Sequence, residues 1–368
     1  MKTSHFVSAS LLSLVVSAAS PHTNPRTTNT TAPHKVIFDT DFNTIGDDGQ
    51  ALAMAAQLHA AGSLTLLGIT VVTGNQYLNQ GVADALRAVE RMGIAHDVGV
   101  YAGAPYPILH TYAAHDLEVA TFGNATKYVG AYAHPGPQPL VPPPDGFAAT
   151  TTTPSTKHAV DFIIDTVRAH PPGEVTILAL GPLTNLALAI AQDPGIVPLL
   201  RGLVVMGGQS YVPGNAYREG AGETNWWFDA EAARVVLRAP EFRERKIVGL
   251  DVTDTVAISN ETYDLVAGHE PATAVTRLFK GIERWPFVYD TVALASLFDD
   301  SLDLDVRELY VDVDCDFSAE YGKGLVWEED PYPGLGVVGA SSVLFGIDNE
   351  RFFELYVDLL TRPISEGT

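Results

Sequence analysis

The chain has 368 residues, 46% of them apolar and 18% charged, which excludes a globally disordered chain and supplies material for a sizeable core. Lys and Arg number 22 against 44 Asp and Glu, a net charge of −22 that repels nucleic acid and anionic membranes and suits a pocket for a neutral or cationic ligand. Cys315 is the single cysteine, so no intrachain disulfide can form.

The first element in chain order is an address. Lys2 precedes an apolar, small-residue stretch from Phe6 to Ala19 that is too short for a comfortable membrane span, and Ser17-Ala18-Ala19 offers a cleavage site near Ala19 or Ser20. Residues 1–20 are therefore expected to be a secretory signal peptide and residues 21–34 a flexible polar segment, with the protein extracellular. Sequons at Asn29, Asn124 and Asn260 fit a secreted glycoprotein, a weak support because such triplets also arise by chance.

From Lys35 onward, short apolar runs alternate with segments of helical period. Strands are expected at Lys35–Phe38, Leu64–Val72, Val98–Tyr101, Val175–Leu180, Leu203–Met206, Lys246–Leu250 and Glu308–Val313. Helices are expected near Asp48–Ala60, Gln80–Met92, Thr156–Ala169, Asn185–Ala191 and Ala230–Arg238, with Val160, Ile163, Ile164 and Val167 on one face of the third. Near-continuous apolar strands separated by helices predict an α/β fold with a mostly parallel sheet covered by helices, and ligands beyond the carboxyl ends of its strands. The Pro-, Gly- and Thr-rich stretch from Ala133 to Thr156 reads as a long surface excursion within one domain spanning 35–365, because strands of the same character continue on both sides.

The stretch "KVIFDTDFNTIGDDGQ" places Asp39, Asp41, Asp47 and Asp48 within ten positions after an apolar run. Like charges this close repel, and burying them unpaired is costly, so they call for a cation or a chemical task. An EF-hand loop is set aside, because Thr44 stands at its glycine position and Gln50 at its final glutamate position. The run "VIFDTDFNT" also resembles the opening of haloacid dehalogenase-type phosphotransferases, in which Asp39 would be a nucleophile and Asp41 an acid/base. A third reading is a hard cation shared by Asp41 and Asp48, with Asp47 left to grip a polar substrate. Helix capping accounts for one acid at this position but not four.

Four later motifs bear on the choice: "ILALGPLTNLALA" from Ile177, "GLVVMGGQSYVPGN" from Gly202, "GETNWWFDAEAARVVL" from Gly222 and "VYDTVALASL" from Val288. Asp-Thr-Asp followed by Asp-Asp, then Gly-Pro-Leu-Thr-Asn, then Glu-x-Asn ahead of Asp, then Asp opening a late helix, resembles the inosine–uridine preferring nucleoside hydrolase family from Lys35 to about Arg362. The phosphotransferase reading has no place for the later motifs.

The resemblance implies an open, mostly parallel α/β sheet and hydrolysis of the N-glycosidic bond of ribonucleosides to ribose and free base. It implies one calcium ion held by Asp41, Asp48, Asp290 and the carbonyl of Leu180, with Asp41 also the general base for water beside the ion. Asp47, Asn75, Asn215, Glu223 and Asn225 would hold the ribose. The partner implied is a small ribonucleoside, with no nucleic acid or membrane, and a homo-oligomer is compatible with it. For Asn215 beside Gly214, a plain turn is the commoner role, and for Asp229 a helix N-cap.

Four departures qualify the resemblance. Five residues separate Asp41 from Asp47 where the family commonly has three, the gap from Asn215 to Glu223 is expanded, and Thr224 stands where many members have Phe. Tyr289 occupies the place where many members have a His that protonates the leaving base. A tyrosine is a weak acid but a good stacking surface, so a purine is expected over uridine. His110, His115 and His134, all in the irregular middle region, are candidates to replace the missing acid, and Trp226, Trp227 and Trp285 to line the pocket. The altered loop and the missing His also keep open a secreted nucleoside- or sugar-binding protein without catalysis.

Overall fold

The computed structural model describes residues 33–44, 46–123, 128–216, 222–279 and 287–364. The expected signal peptide and flexible segment, the sequons at Asn29 and Asn124, and Trp285 lie outside them; Asn260 opens a surface helix.

Nine strands run through the described residues: β1 His34–Thr40, β2 Leu64–Val71, β3 Val100–Ala102, β4 Val175–Ala179, β5 Gly202–Met206, β6 Arg245–Val248, β7 Asp303–Val313, β8 Gly324–Trp327 and β9 Ala340–Ile347. They form one sheet in the order β3-β2-β1-β4-β5-β6-β9-β7-β8. Every pairing from β3 to β9 is parallel; β7 runs antiparallel to both β9 and β8. The helices are α1 Asp47–Ala60, α2 Leu78–Arg91, α3 Tyr112–Phe122, α4 Ala159–Ala169, α5 Thr184–Gln192, α6 Thr224–Phe228, α7 Ala230–Arg238, α8 Leu250–Thr253, α9 Asn260–Ala267, α10 Ala274–Phe279, α11 Tyr289–Phe298 and α12 Asn349–Thr361.

Alternation along β1 sends Val36 and Phe38 into one apolar core and Ile37 into a second, so the sheet is covered on both faces. This double burial is why the strands read as continuous apolar runs. Helix α1 is buried along almost its whole length, from Asp48 to Leu58, and packs against β2, α11 and α12. Its small residues, Gly49, Ala51, Ala53, Ala55 and Ala56, permit that close fit. A Cβ on Gly49 would meet the carbonyl oxygen of Thr44 at 2.3 Å, so only glycine fits there.

The chain leaves β1 toward β2 on one side and later returns to β4 on the other. This reversal opens a crevice between the carboxyl ends of β1 and β4, where such folds bind ligands. Leu180 N–H donates to the Asp39 carbonyl at 2.8 Å and pins the two strand ends together.

The stretch Ala133 to Thr156 lies along α2. Gln80 bonds both the N–H and the carbonyl of Val141 (2.8 and 3.0 Å), Arg87 and Arg91 pair with Asp145, and Glu90 accepts from Ala149 N–H and the Thr152 hydroxyl. The expected strands and helices all have counterparts, with ends shifted by up to five residues at Glu308 and by three at Thr156. Helix α4 starts at Ala159 because the His158 ring caps it, accepting from Val160 N–H at 3.2 Å. No helix among the described residues is long and apolar enough to cross a membrane.

Candidate active site

Four carboxylates gather at the crevice because two buried helices bring their first turns together. Helix α1 supplies Asp47 and Asp48, α11 supplies Asp290, and Asp41 follows directly from β1. The N–H of Asp290 donates to Asp47 Oδ2 at 3.3 Å and joins the two helix starts. Asp47, Asp48 and Asp290 each place an oxygen within 4.8 Å of the others. This trio includes Asp47, expected as a sugar ligand, in place of Asp41, expected as a metal ligand.

The Asn43 carbonyl accepts N–H bonds from Gly46 and Gly49, both at 3.2 Å, which ties Asn43 to the start of α1. The Phe42 carbonyl is held by Gln76 Nε2 at 2.7 Å.

Asp41 and Asp48 are fully enclosed. Asp41 Oδ2 accepts from Asn75 N–H at 2.6 Å, while Oδ1 has no hydrogen-bond partner. Asp48 Oδ1 accepts from the Thr40 hydroxyl and Oδ2 from Asn75 Nδ2 at 2.7 Å. Burial pushes the carboxyls of Asp41, Asp48 and Asp290 upward, and the charges of their acidic neighbours add to the effect. Asp47 is also raised by burial, against the backbone N–H groups that favour its charge. Enclosed acids of one sign, an unsatisfied Asp41 oxygen and an all-oxygen donor set fit a hard cation.

Above this floor lies a cavity of about 610 Å³, lined by Asp47, Asn75, Leu180, Asn215, Glu223, Asn225, Tyr289 and Asp290 from the sequence-based expectation. Tyr128, Met206, Thr224, Asp254 and Phe287 complete its lining. No Lys or Arg is among these residues.

The polar walls are cross-braced. Glu223 caps α6, accepting N–H bonds from Asn225 (2.8 Å), Trp226 (3.2 Å) and Gly208 (2.9 Å), and burial raises its carboxyl to about 7. Asn225 Nδ2 donates to the carbonyls of Leu180 (2.9 Å) and Met206 (3.2 Å). Asn215 Oδ1 accepts from the N–H and hydroxyl of Thr224, both at 2.9 Å, so Thr224 locks a wall residue. The Tyr128 hydroxyl donates to Asn75 Oδ1 at 3.0 Å. At the far end, the Tyr289 and Phe287 rings lie 5.0 Å apart with their planes inclined by 31°.

Several candidates sit elsewhere. His110 and His115 are buried beside Tyr132 and Trp227, with His110 Nε2 3.2 Å from Glu118 Oε1, and His134 is exposed; none lines the cavity. Trp226 and Trp227 are core residues, as large aromatics usually are. Asp229 caps α7 through Ala232 N–H at 3.1 Å. Asp39 is buried on Thr70 (2.5 Å) and Asn185 (2.8 Å); Asp39, Asp41 and Asp48 all lie behind the cavity lining. Met206 and Phe287 were approachable from sequence, one ending an apolar strand and the other two positions from Tyr289. Tyr128 and Asp254 carry no local signal, because they reach the site through tertiary folding alone.

Two glycines let the backbone close around Asp41. A Cβ on Gly74 would lie 2.2 Å from Asp41 Oδ2, and one on Gly181 would lie 2.7 Å from Asp41 N. Gly74→Ala should therefore displace the Asp41 carboxylate and cost about 10²-fold in turnover, the scale of a 1 Å misplacement. A steady-state assay beside a thermal melt checks this; full turnover by a folded variant would refute the close-fit argument.

The family model described as inosine-uridine preferring nucleoside hydrolase matches residues 36–354. The pyrimidine-specific ribonucleoside hydrolase RihB of Escherichia coli is 31% identical over 338 residues, covering 87% of this chain and 95% of that protein. A plant nucleoside hydrolase structure shares the fold with a TM-score of 0.71 at 24% identity, covering 90% of this chain and all of its own. An inosine-guanosine nucleoside hydrolase structure aligns with a TM-score of 0.69 at 25% identity, covering 89% and 98%. With the match spanning sheet, acid floor and cavity walls, the chain belongs to the inosine-uridine preferring nucleoside hydrolase family and is a hydrolase of ribonucleoside N-glycosidic bonds.

Proposed function

We propose that the cavity holds a ribonucleoside with its ribose over the acid floor and its base toward Tyr289, that Asp41 is the general base, and that the metal is one calcium ion. The observation that carries this reading is the meeting of Asp41, Asp47, Asp48 and Asp290 beneath a cavity walled by amides, carboxylates and two aromatic rings. The family is metal-dependent, and the acidic trio offers the ion a seat. Asp48, Asp290, Asp41 and the Leu180 carbonyl would hold it, with Asp47 at the border between ion and sugar. A crowded carboxylate and carbonyl set favours calcium, which accepts many oxygens in flexible geometry, over magnesium, which demands a strict octahedron.

A bound cation of this kind lowers the pKa of water beside it. Asp41 would accept the proton of the attacking water: its Oδ1 is unengaged, and Asn75 N–H fixes the rest of the carboxylate. Asp47 and Glu223 accept from ribose hydroxyls. Asn225 has its N–H groups committed to Leu180 and Met206, which leaves Oδ1 as an acceptor for a third hydroxyl. Gripping the sugar at several points orients the anomeric carbon, and the surrounding carboxylates stabilise the positive charge that ribose gains as the base departs.

Chelation of the wild-type protein should abolish turnover and added calcium should restore it. Asp41→Asn should stay about 10²–10⁴-fold down at saturating calcium, the range of a lost general base, with its melting temperature little changed. Wild-type turnover by that variant would reject Asp41 as the base.

For the base, the paired rings of Tyr289 and Phe287 favour a purine, whose bicyclic face offers more stacking area. The pyrimidine-specific name of the Escherichia coli relative favours the opposite preference, and the inosine-guanosine name of the solved structure favours a purine. We expect higher kcat/KM on inosine and adenosine than on uridine. Equal or better cleavage of uridine would overturn the stacking argument.

Action outside the cell is the companion proposal, resting on the apolar stretch from Phe6 to Ala19 and on the sequons. N-terminal sequencing of the native protein should find a chain that begins near residue 20 or 21; an intact Met1 in a cytosolic form would refute it.

A further inference from the structure

The base end of the cavity contains an acid that neither the metal floor nor the sugar contacts employ. Asp254 follows α8 and lines the cavity beside Phe287 and Tyr289. Its Oδ1 accepts a hydrogen bond from the Tyr289 hydroxyl at 2.8 Å. Its Oδ2 has no hydrogen bond among the described residues. A backbone bridge between Ala257 and Phe287 ties the segment after Asp254 to the segment that carries Tyr289. The Tyr289 backbone adjoins Asp290 at the floor, so its side chain spans the cavity from the metal end to Asp254.

An ionised carboxylate accepts hydrogen bonds and donates none. Asp254 is exposed at the cavity, and beside a described lining that holds Asp47, Glu223 and Asp290 and no Lys or Arg, its charge repels its neighbours. A nucleobase that presents an N–H at its outer edge relieves that repulsion with a charge-assisted hydrogen bond. We propose that Asp254 is a specificity-determining residue, oriented by Tyr289, that selects nucleobases bearing an N–H donor on the edge remote from the sugar. Hypoxanthine and guanine present such a ring N–H, and adenine presents an exocyclic amine. Unsubstituted purine presents none, although its rings and ribose are the same. A site built to bond a substrate N–H discriminates strongly against the analogue that lacks it, because its own polar group is left unpaired.

This inference rests on the nucleoside reading, and the test separates the two. Wild type, Asp254→Ala, Asp254→Asn and Tyr289→Phe are assayed in the calcium-loaded full chain on inosine and on purine riboside, with melting temperatures measured alongside. Asp254→Ala should lower kcat/KM for inosine by about 10- to 100-fold, mostly through KM, and for purine riboside by no more than about 3-fold. Asp254→Asn, which keeps an acceptor but loses the charge, should fall between Asp254→Ala and wild type on inosine. Tyr289→Phe keeps the ring but frees Asp254, and should weaken inosine more than purine riboside. Equal losses on both substrates would make Asp254 a brace for the Tyr289 ring and overturn the proposal, as would no loss on either. Failure of the wild-type protein to hydrolyse any nucleoside would instead reject the underlying nucleoside reading.

Discussion

The structure depends on a repulsion held in place. Asp47 and Asp48 on one helix and Asp290 on another converge where both helices begin, with Asp41 enclosed beside them. Each helix start presents unpaired N–H groups and a partial positive charge, which favours acids there. That attraction is small beside the cost of enclosing four carboxylates, and burial accordingly pushes them toward the protonated state. Protons or a cation must balance the charge that folding encloses there.

The surrounding fold reads as the means of holding that floor still. Near-complete burial of α1 needs its run of alanines and Gly49; a bulkier helix could not sit against α11 closely enough for Asp290 N–H to reach Asp47. Gly74 and Gly181 perform the same service around Asp41. Second contacts fix each wall residue in turn: Thr224 on Asn215, Tyr128 on Asn75, and the α6 N–H groups on Glu223. Catalytic geometry needs such support, because a group free to swing gains little from proximity.

What could be read from the chain follows from how far each signal travels. Buried parallel strands declare themselves as apolar runs, so β1, β2, β4 and β5 were legible to within one residue at most ends. Strands β8 and β9 were missed, since β8 is short and β9 mixes Ser and Gly with its apolar residues. The acid floor was legible because its members lie in short motifs. Membership of the tightest trio was not, because whether Asp41 or Asp47 stands nearest Asp290 depends on how the five-residue loop folds. Tyr128, Asp254 and the burial of His110 and His115 were beyond reach for the same reason: their positions follow from packing between segments far apart in sequence.

The cavity's charge also constrains what it can admit. Its described lining carries Asp47, Glu223, Asp254 and Asp290 and no basic side chain. A phosphorylated sugar would bring up to two further negative charges into this field, and no guanidinium or ammonium among the described lining residues receives them. The neutral ribose of a nucleoside meets no such barrier; its hydroxyls donate to carboxylates, and its charge turns positive only as the glycosidic bond breaks. On the proposed reading, one arrangement of acids disfavours the anionic relative of the substrate, seats a cation and favours the transition state. Neutral hydroxyls gain a modest hydrogen bond from each carboxylate, whereas a developing oxocarbenium ion is attracted by the charge of every one of them. Turnover in this site is therefore expected to owe more to the charge that appears during the reaction than to the tightness with which the resting nucleoside is held.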